Sequence, residues 1–382
     1  MNINKKKIIF FANVDWFFIS HRINLAKQMQ KSGYQIFILC AVTGKQDFLK
    51  SHGFNVIKLD LHRRGMNPIN ILSCFLKTIF ILRSIKPDIM HAITTKPNLI
   101  GGIAALFCRI PLVVFAISGF GVALENTGNL LADLLRKFCV KRLYQLLRFL
   151  PKKVFIVQNV DDHRRLKRIV KLKNNEITLI PGSGVEIKPF KKLKLPQHAP
   201  KILFASRLLK TKGLIEFVKM AGEVKKQLSE TDFSPEFVCA GNSDFANPAS
   251  VTIEEINFWR RNGDVKWVGH IENIVPLINK SLIVVLPSYY GEGLPKILAE
   301  AAACGRAVVT TDHPGCRDAI INNITGILVH PKSVDDLTNK VKFLILNQEQ
   351  CSMMGMAGRK LAQKKFSIDA ITSAHMRIYS AS

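Results

Sequence analysis

The sequence is short of acids. Its 382 residues hold 28 Asp and Glu against 55 Lys and Arg, a formal charge of +27. The shortage is local: residues 1–185 carry 9 acids against 29 cations, while 186–382 carry 19 against 26. So basic a half favours polyanions, whether acidic lipid, nucleic acid or phosphate-bearing substrates. No C-x-x-C pair occurs among Cys40, Cys74, Cys108, Cys139, Cys239, Cys304, Cys316 and Cys351. Their scatter, often within apolar runs, argues against a disulfide framework or a zinc site and for a reducing compartment. No low-complexity tract and no repeat of fixed period is present. The longest apolar stretch, 97–124, is broken by Arg109-Ile110-Pro111 and by glycines, which excludes an uninterrupted span of about 20 residues. The start, MNINKKKIIFFANV, has only about seven apolar residues before Asp15 and no small-residue cleavage site, so it reads as a first buried strand and not a signal peptide.

What is there is alternation. Strands are expected at 7–11, 35–41, 55–59, 87–91, 112–117, 153–158 and 177–180, with helices at 21–32, 45–52, 68–85, 97–108 and 127–150 between them. Pro181-Gly182-Ser183-Gly184-Val185 and a basic, proline-bearing tract to Pro200 break the pattern. It restarts with strands at 201–205, 236–240, 265–268, 282–286, 307–310 and 327–329. Helices at 213–229, 273–280, 295–304 and 333–347 and a helical tail at 352–380 accompany them. The fold class is therefore α/β, with two Rossmann-like domains facing across a cleft, 1–185 and 186–382, and a final helix that could return to the first. In such sheets ligands bind beyond the carboxyl ends of the strands.

Two loops carry chemistry. In Ser288-Tyr289-Tyr290-Gly291-Glu292-Gly293-Leu294-Pro295-Lys296-Ile297-Leu298-Ala299-Glu300 a strand ends, glycines bracket a turn, and Pro295 opens a helix. Backbone N–H groups beside a helix N-terminus suit an anion. Glu292 and Glu300, eight apart, can reach one elongated ligand at two points. The plainer reading is that both serve the helix dipole and solvent, against which Glu300 has only alanines beside it. In Ser206-Arg207-Leu208-Leu209-Lys210-Thr211-Lys212-Gly213, Arg207 and Lys212 suit a diphosphate, though a charged strand-to-helix loop can also be merely solvated.

Together these loops, with Pro181-Gly182 and Thr311-Asp312-x-x-Gly315, resemble retaining glycosyltransferase family 4, of the GT-B fold. The resemblance implies that Arg207 and Lys212 hold the donor diphosphate and stabilise leaving-group charge. It implies that Glu300 holds the ribose hydroxyls, and that Glu292, with Gly293, Leu294 and Pro295, contacts the transferred sugar. It further implies metal independence, with no cofactor and the nucleotide sugar, most often UDP-linked, as substrate. No Asp-x-Asp motif stands against this.

The first half narrows the resemblance. Asn13–Arg22, Arg64–Pro68, Thr95–Asn98 and Ser118-Gly119-Phe120-Gly121 look like the subgroup of bacterial N-acetylgalactosaminyltransferases acting on undecaprenyl-diphosphate-linked sugars. Arg22, Arg64 and Lys96, expected at strand ends, are the candidates for acceptor phosphates, with the strong alternative that they are ordinary surface charges. Many relatives have a His where Ser118–Gly121 stands. Here Gly119 and Gly121 would instead let the backbone approach the ligand. His21 and His91 read as satisfied loop or core residues. The segment 127–153 interleaves leucines with Arg136, Lys137, Lys141, Arg142 and Arg148, as an interfacial helix on acidic lipid does, although an amphipathic helix packed on the sheet would look similar. Arg164, Arg165, Lys167, Arg168, Lys171 and Lys173 would add to that surface. The expected partners are a nucleotide sugar, a lipid-linked saccharide acceptor and the anionic inner face of the cytoplasmic membrane, on which the protein would be peripheral. The expected role is in O-antigen, lipopolysaccharide, capsule or glycoprotein glycan assembly. A soluble enzyme of the same fold, such as a UDP-sugar 2-epimerase, is the alternative. A nucleic-acid-binding protein is the other, but no helix-turn-helix, zinc-finger or RNP signature supports it.

Overall fold

The computed structural model describes residues 5–61, 68–119, 130–187, 199–244 and 247–380. The first unit begins with β1 (Lys7–Val14), whose apolar run is buried on both faces. There follow α1 (Asp15–Lys31), β2 (Gln35–Ala41), α2 (Gln46–Ser51), β3 (Asn55–Lys58), α3 (Pro68–Ile85), β4 (Ile89–Ile93) and α4 (Thr95–Cys108). The unit continues with β5 (Leu112–Ile117), α5 (Leu130–Leu146), β6 (Lys153–Val157), α6 (Val160–Val170) and β7 (Ile177–Leu179). The strands pair in parallel in the order β3-β2-β1-β4-β5-β6-β7. Because successive side chains alternate, the sheet builds two cores. Ile9, Phe11, Met90 and Phe115 pack on one side with residues of α3, α4, α5 and α6. Ile8, Phe10, Ile89 and Val114 pack on the other with residues of α1 and α2.

The second unit repeats the plan. It holds β8 (Lys201–Ala205), α7 (Leu214–Gln227), β9 (Glu236–Ala240), α8 (Ile253–Asn262), β10 (Lys266–Gly269), α9 (Val275–Asn279), β11 (Ile283–Leu286), α10 (Lys296–Ala303), β12 (Ala307–Thr311), β13 (Gly326–Val329), α11 (Val334–Leu346) and α12 (Gln348–Leu361). Its parallel order is β10-β9-β8-β11-β12-β13. In both sheets the order reverses beside the first strand, between β1 and β4 and between β8 and β11. At such a point neighbouring crossovers run to opposite faces and leave an opening. The chain divides at Ser183/Gly184, and the last helix, α13 (Ile368–Ser380), belongs with the first unit, not with 186–367. Its Ile371 and Tyr379 join the core beneath α1.

Three elements differ from the sequence expectation. The aromatic segment after β1, read as a loop up to residue 20, is already the first turns of α1. Helices α6 and α8 went unexpected because few of their residues are apolar. Both are fixed by their caps instead. The Asn159 side chain accepts from Asp162 N–H at 2.7 Å, and Thr252 and Glu255 form a reciprocal capping box.

Asp15 explains the early start of α1. Its carboxylate accepts from the N–H groups of Trp16 and Thr43 at 2.7 Å, from Lys45 N–H at 3.1 Å and from the Thr43 hydroxyl. It thus ties the first turn of the helix to the loop leaving β2. Burial alone would raise its carboxyl, but the bonds from Thr43, Lys45 and Trp16 prevail and hold it below the ordinary value. A depressed folded-state value contributes stability that is present at neutral pH and is lost as pH falls through that lowered value. Asp15→Ala is expected to destabilise the first unit by about 2–4 kcal/mol and to remove this acid-sensitive component, as read by denaturant unfolding at pH 7 and pH 3.

Candidate active site

The reversal in the second sheet puts the two chemically marked loops side by side. Residues 206–213 leave β8 and residues 287–295 leave β11, and these strands are neighbours. Gly213 has φ +77, and a Cβ there would collide with the Pro287 carbonyl, so only glycine lets the loops approach this closely. Gly315, φ +83, presses in the same way on the carbonyls of Glu292 and Gly293 from the loop after β12. Between these contacts lies a polar network. Lys212 Nζ donates to Glu292 Oε1, which also accepts from the Ser288 hydroxyl at 3.1 Å. The Lys212 ammonium lies 5.5 Å from the Tyr290 ring centroid. Tyr289 N–H donates to Thr211 O at 3.0 Å, which binds the loops through their backbones.

The other expected donor residues lie in the same two loops and in α10. The Arg207 guanidinium is held by Asp244, beyond the end of β9, at 2.8 Å, and stays partly exposed. Leu294 is buried in the core, and Pro295 sets the extended entry to α10. Glu300 lies one turn past Lys296, whose ammonium is 3.5 Å away. Burial raises the Glu300 carboxyl above its usual range, and Lys296 only partly opposes this. Asp244, Ser288, Lys296 and Thr211 were not singled out from the sequence. Ser288, Lys296 and Thr211 lie inside the motifs already marked, so their signal was present; Asp244 follows a different strand, and nothing local marks it.

In the first unit the expected residues part company. Lys96 lies in the first turn of α4, just past β4 and thus beside the reversal, and burial lowers its ammonium. Its neighbour Thr94 has φ +74, a conformation that L residues rarely adopt, and accepts a hydrogen bond from the Asn13 side chain at 2.8 Å. That strain marks the strand end more strongly than any residue type did. Gly119, φ +87, follows β5. Arg22 does not lie at a strand end. It is two turns into α1 and 3 % exposed, in the core beneath α13, and burial lowers its guanidinium to about 10. An open phosphate contact is therefore not what this side chain offers. The error follows directly from reading the start of α1 as loop. Arg64 and Gly121 lie outside the described residues. His21 stacks on Phe17 and contacts its carbonyl oxygen, and His91 is buried against Tyr379, so both have partners within the fold.

Comparison with known proteins places this geometry. The family model of glycosyl transferases group 1 matches residues 186–361, and that of glycosyl transferase 4-like proteins matches 7–149. Both models are of glycosyltransferases, and between them they span most of the chain. It is 28% identical over 343 residues, 86% of each chain, to the Campylobacter jejuni N,N'-diacetylbacillosaminyl-diphospho-undecaprenol alpha-1,3-N-acetylgalactosaminyltransferase. It is 24% identical over 72% of its length to the Escherichia coli UDP-Gal:alpha-D-GlcNAc-diphosphoundecaprenol alpha-1,3-galactosyltransferase, of which the match covers 71%. Anabaena HepE, crystallised with UDP and glucose, superposes with a TM-score of 0.77 at 17% identity, covering 99% of this chain and 100% of that one. The architecture is GT-B, and the enzyme is a glycosyltransferase.

In this glycosyltransferase the raised Glu300 carboxyl has a consequence for stability. A folded-state value above the unfolded one means that ionisation weakens the fold. Stability from this group is present below the ordinary carboxylate value and is lost as pH rises toward the raised one. Glu300→Gln is therefore expected to raise the melting temperature at pH 7.5 by about 2–4 °C, the shift for roughly 1 kcal/mol. No gain at pH 7.5 over that seen at pH 4 would show that Lys296 fully compensates the buried charge.

Proposed function

We propose that this enzyme is a retaining glycosyltransferase that moves a hexose or N-acetylhexosamine from a UDP-sugar to a polyprenyl-diphosphate-linked saccharide in surface-glycan assembly. The observation that carries the reading is the Lys212–Glu292–Ser288 network at the β8/β11 reversal, with Arg207 in the loop after β8 and Glu300 in α10. Arg207 and Lys212 provide two fixed positive charges for a diphosphate. As the C1–O bond of the donor breaks, its electron pair goes to the β-phosphate oxygen, where these cations stabilise it. The acceptor hydroxyl attacks the same face and its proton passes to the departing phosphate oxygen, so no protein nucleophile is needed. Glu292 orients the sugar hydroxyls, and Glu300, as a carboxylate, accepts from the ribose. The cations of the chain take the place of a metal ion, and no cofactor is invoked. The Campylobacter and Escherichia relatives, by their names, act on diphospho-undecaprenol-linked sugars, which supports the acceptor class.

Lys212→Ala leaves Glu292 without its cation and the diphosphate without one of its charges. It is expected to lower kcat by about 10²–10³ and, because it strands the shielded Glu292 carboxylate, to lower the melting temperature as well. Arg207→Ala should behave alike, and Glu300→Ala should abolish nucleotide binding in calorimetry. The assay is release of UDP from a panel of UDP- and GDP-sugars. Turnover that disappears with EDTA and returns with Mg²⁺ would overturn the metal-independent reading.

The membrane part of the proposal rests on α5. Leu130, Leu131, Leu134, Leu135 and Phe138 are all exposed by more than half, although each is strongly apolar. A patch of this kind normally has a partner. Among the described residues no helix is long and apolar enough to cross a membrane. We place contact through α5 in the plane of the bilayer, at its inner leaflet, on the strength of this exposed apolar face. Replacing Leu131, Leu134 and Leu135 with Ser removes roughly 1.5–3 kcal/mol of burial per leucine and is expected to shift the protein from the membrane to the soluble fraction. Unchanged membrane recovery would count against the helix.

A further inference from the structure

The basic residues of the first unit are not spread evenly over its surface. Lys137 and Lys141 from α5 and Arg164, Arg165 and Arg168 from α6 line one cleft of about 440 Å³, with Asp161 as the acid among them. Two helices separated in the chain by β6 thus turn five cations toward one space, four charges in excess of its acid. Lys137 with Lys141 and Arg164 with Arg168 are each four apart on a helix, and such like-charged pairs weaken the helix that carries them. Leu166 and Val170, buried in the core, hold α6 in place, and the excess of cations over acid in the cleft suits an anion. At 100° per residue, Lys137 and Lys141 fall along one margin of the exposed Leu130, Leu134 and Phe138 stripe, so the cleft opens beside the apolar face.

We propose that this cleft binds the phosphate-diester headgroup of an acidic phospholipid while the adjoining face of α5 enters the acyl region. The inference rests on the membrane reading given above and adds a defined headgroup site to it. Charge complementarity selects an acidic lipid, and the apolar margin selects a lipid over a soluble phosphate. The guanidinium groups of Arg164, Arg165 and Arg168 donate to phosphate oxygens in pairs, which a lysine ammonium cannot do. The two lysines supply point charge on the opposite wall.

The test is partition of the full-length protein onto vesicles of phosphatidylcholine alone and of phosphatidylcholine with phosphatidylglycerol. Three variants are compared. The first carries Arg164→Gln, Arg165→Gln and Arg168→Gln. The second carries Lys31→Gln, Lys45→Gln and Lys50→Gln, the same charge change at exposed sites on and around α1 and α2, which cover the other face of the sheet. The third carries the three α5 Leu→Ser changes. The arginine variant is expected to lose about a hundredfold in affinity for the acidic vesicles, because each cation near an acidic surface is worth roughly fivefold. The lysine control should lose less than about threefold, as screening over the Debye length dictates. Equal losses in the two would overturn the site and leave a diffuse field. Saturable binding of pyrophosphate in calorimetry, abolished in the arginine variant whose vesicle partition is unchanged, would reassign the cleft to a soluble anion. If the α5 variant still partitions, the membrane reading itself fails. If it is released while the arginine variant stays bound, only the cleft assignment fails.

Discussion

The Lys212 ammonium meets the Glu292 carboxylate because two segments 80 residues apart leave adjacent parallel strands and are held together by glycines. Both side chains are largely shielded, at 11% and 13% exposure. A pair so withdrawn from water contributes little to stability, because desolvation offsets most of the attraction. Removing one partner is a different matter, since it strands the other. The pair is therefore better understood as an arrangement of charge than as a structural brace. Lys212 is fixed in place by Glu292 and the Tyr290 ring, so on the proposed reading it is ordered before a diphosphate arrives. A cation ordered in advance loses little entropy on engaging a ligand. Arg207 has the same preparation from Asp244. The site is thus built as two cations, each with its own carboxylate, at one strand-order reversal.

The first unit solves a different problem with the same fold. Its sheet has two faces, and they are covered differently. On one, α1, α2 and α13 close over Ile8, Phe10 and Ile89. On the other, α3, α4, α5 and α6 cover Ile9, Phe11 and Phe115 but leave large apolar side chains outside, among them Phe80, Phe107 and the leucines of α5. The most exposed of these apolar residues and the converging cations lie on this side, while Trp16 and Phe48 are exposed to a lesser degree on the other. Net charge alone could not have shown this, because 29 cations over a domain surface are compatible with many distributions.

What the sequence made legible follows from how local each signal is. Buried parallel strands are continuous apolar runs, and Gln35–Ala41, Leu112–Ile117, Lys201–Ala205 and Glu236–Ala240 have the bounds expected of them. The loop motifs were readable because Arg207, Lys212, Glu292 and Glu300 sit at fixed offsets from strand ends. Their partners were not all readable. Asp244 reaches Arg207 only because β9 lies beside β8, a fact of topology and not of spacing. Helix α6 was hidden because its burial rests on few apolar residues, and its start is set by the Asn159 cap. Thr94 was hidden because backbone strain has no residue signature.

The misplaced Arg22 shows how one boundary propagates. Once α1 begins at Asp15, residue 22 turns inward, and its guanidinium enters a core that already holds His91, His375 and Tyr379. Burial, reinforced by Arg22 itself, keeps His91 uncharged, and burial, again with Arg22, pushes His375 down to about 3. Neutral imidazoles and a phenol are the polar groups that can share a core with one cation without adding to its charge. His375 and Tyr379 come from α13, so the terminal helix is needed to complete the surroundings of an arginine near the start of the chain. That requirement, together with the Ile371 it buries, gives the helical tail a reason to break at Ser367. No periodicity within 352–380 could announce the break, because the partner that demands it lies some 350 residues away.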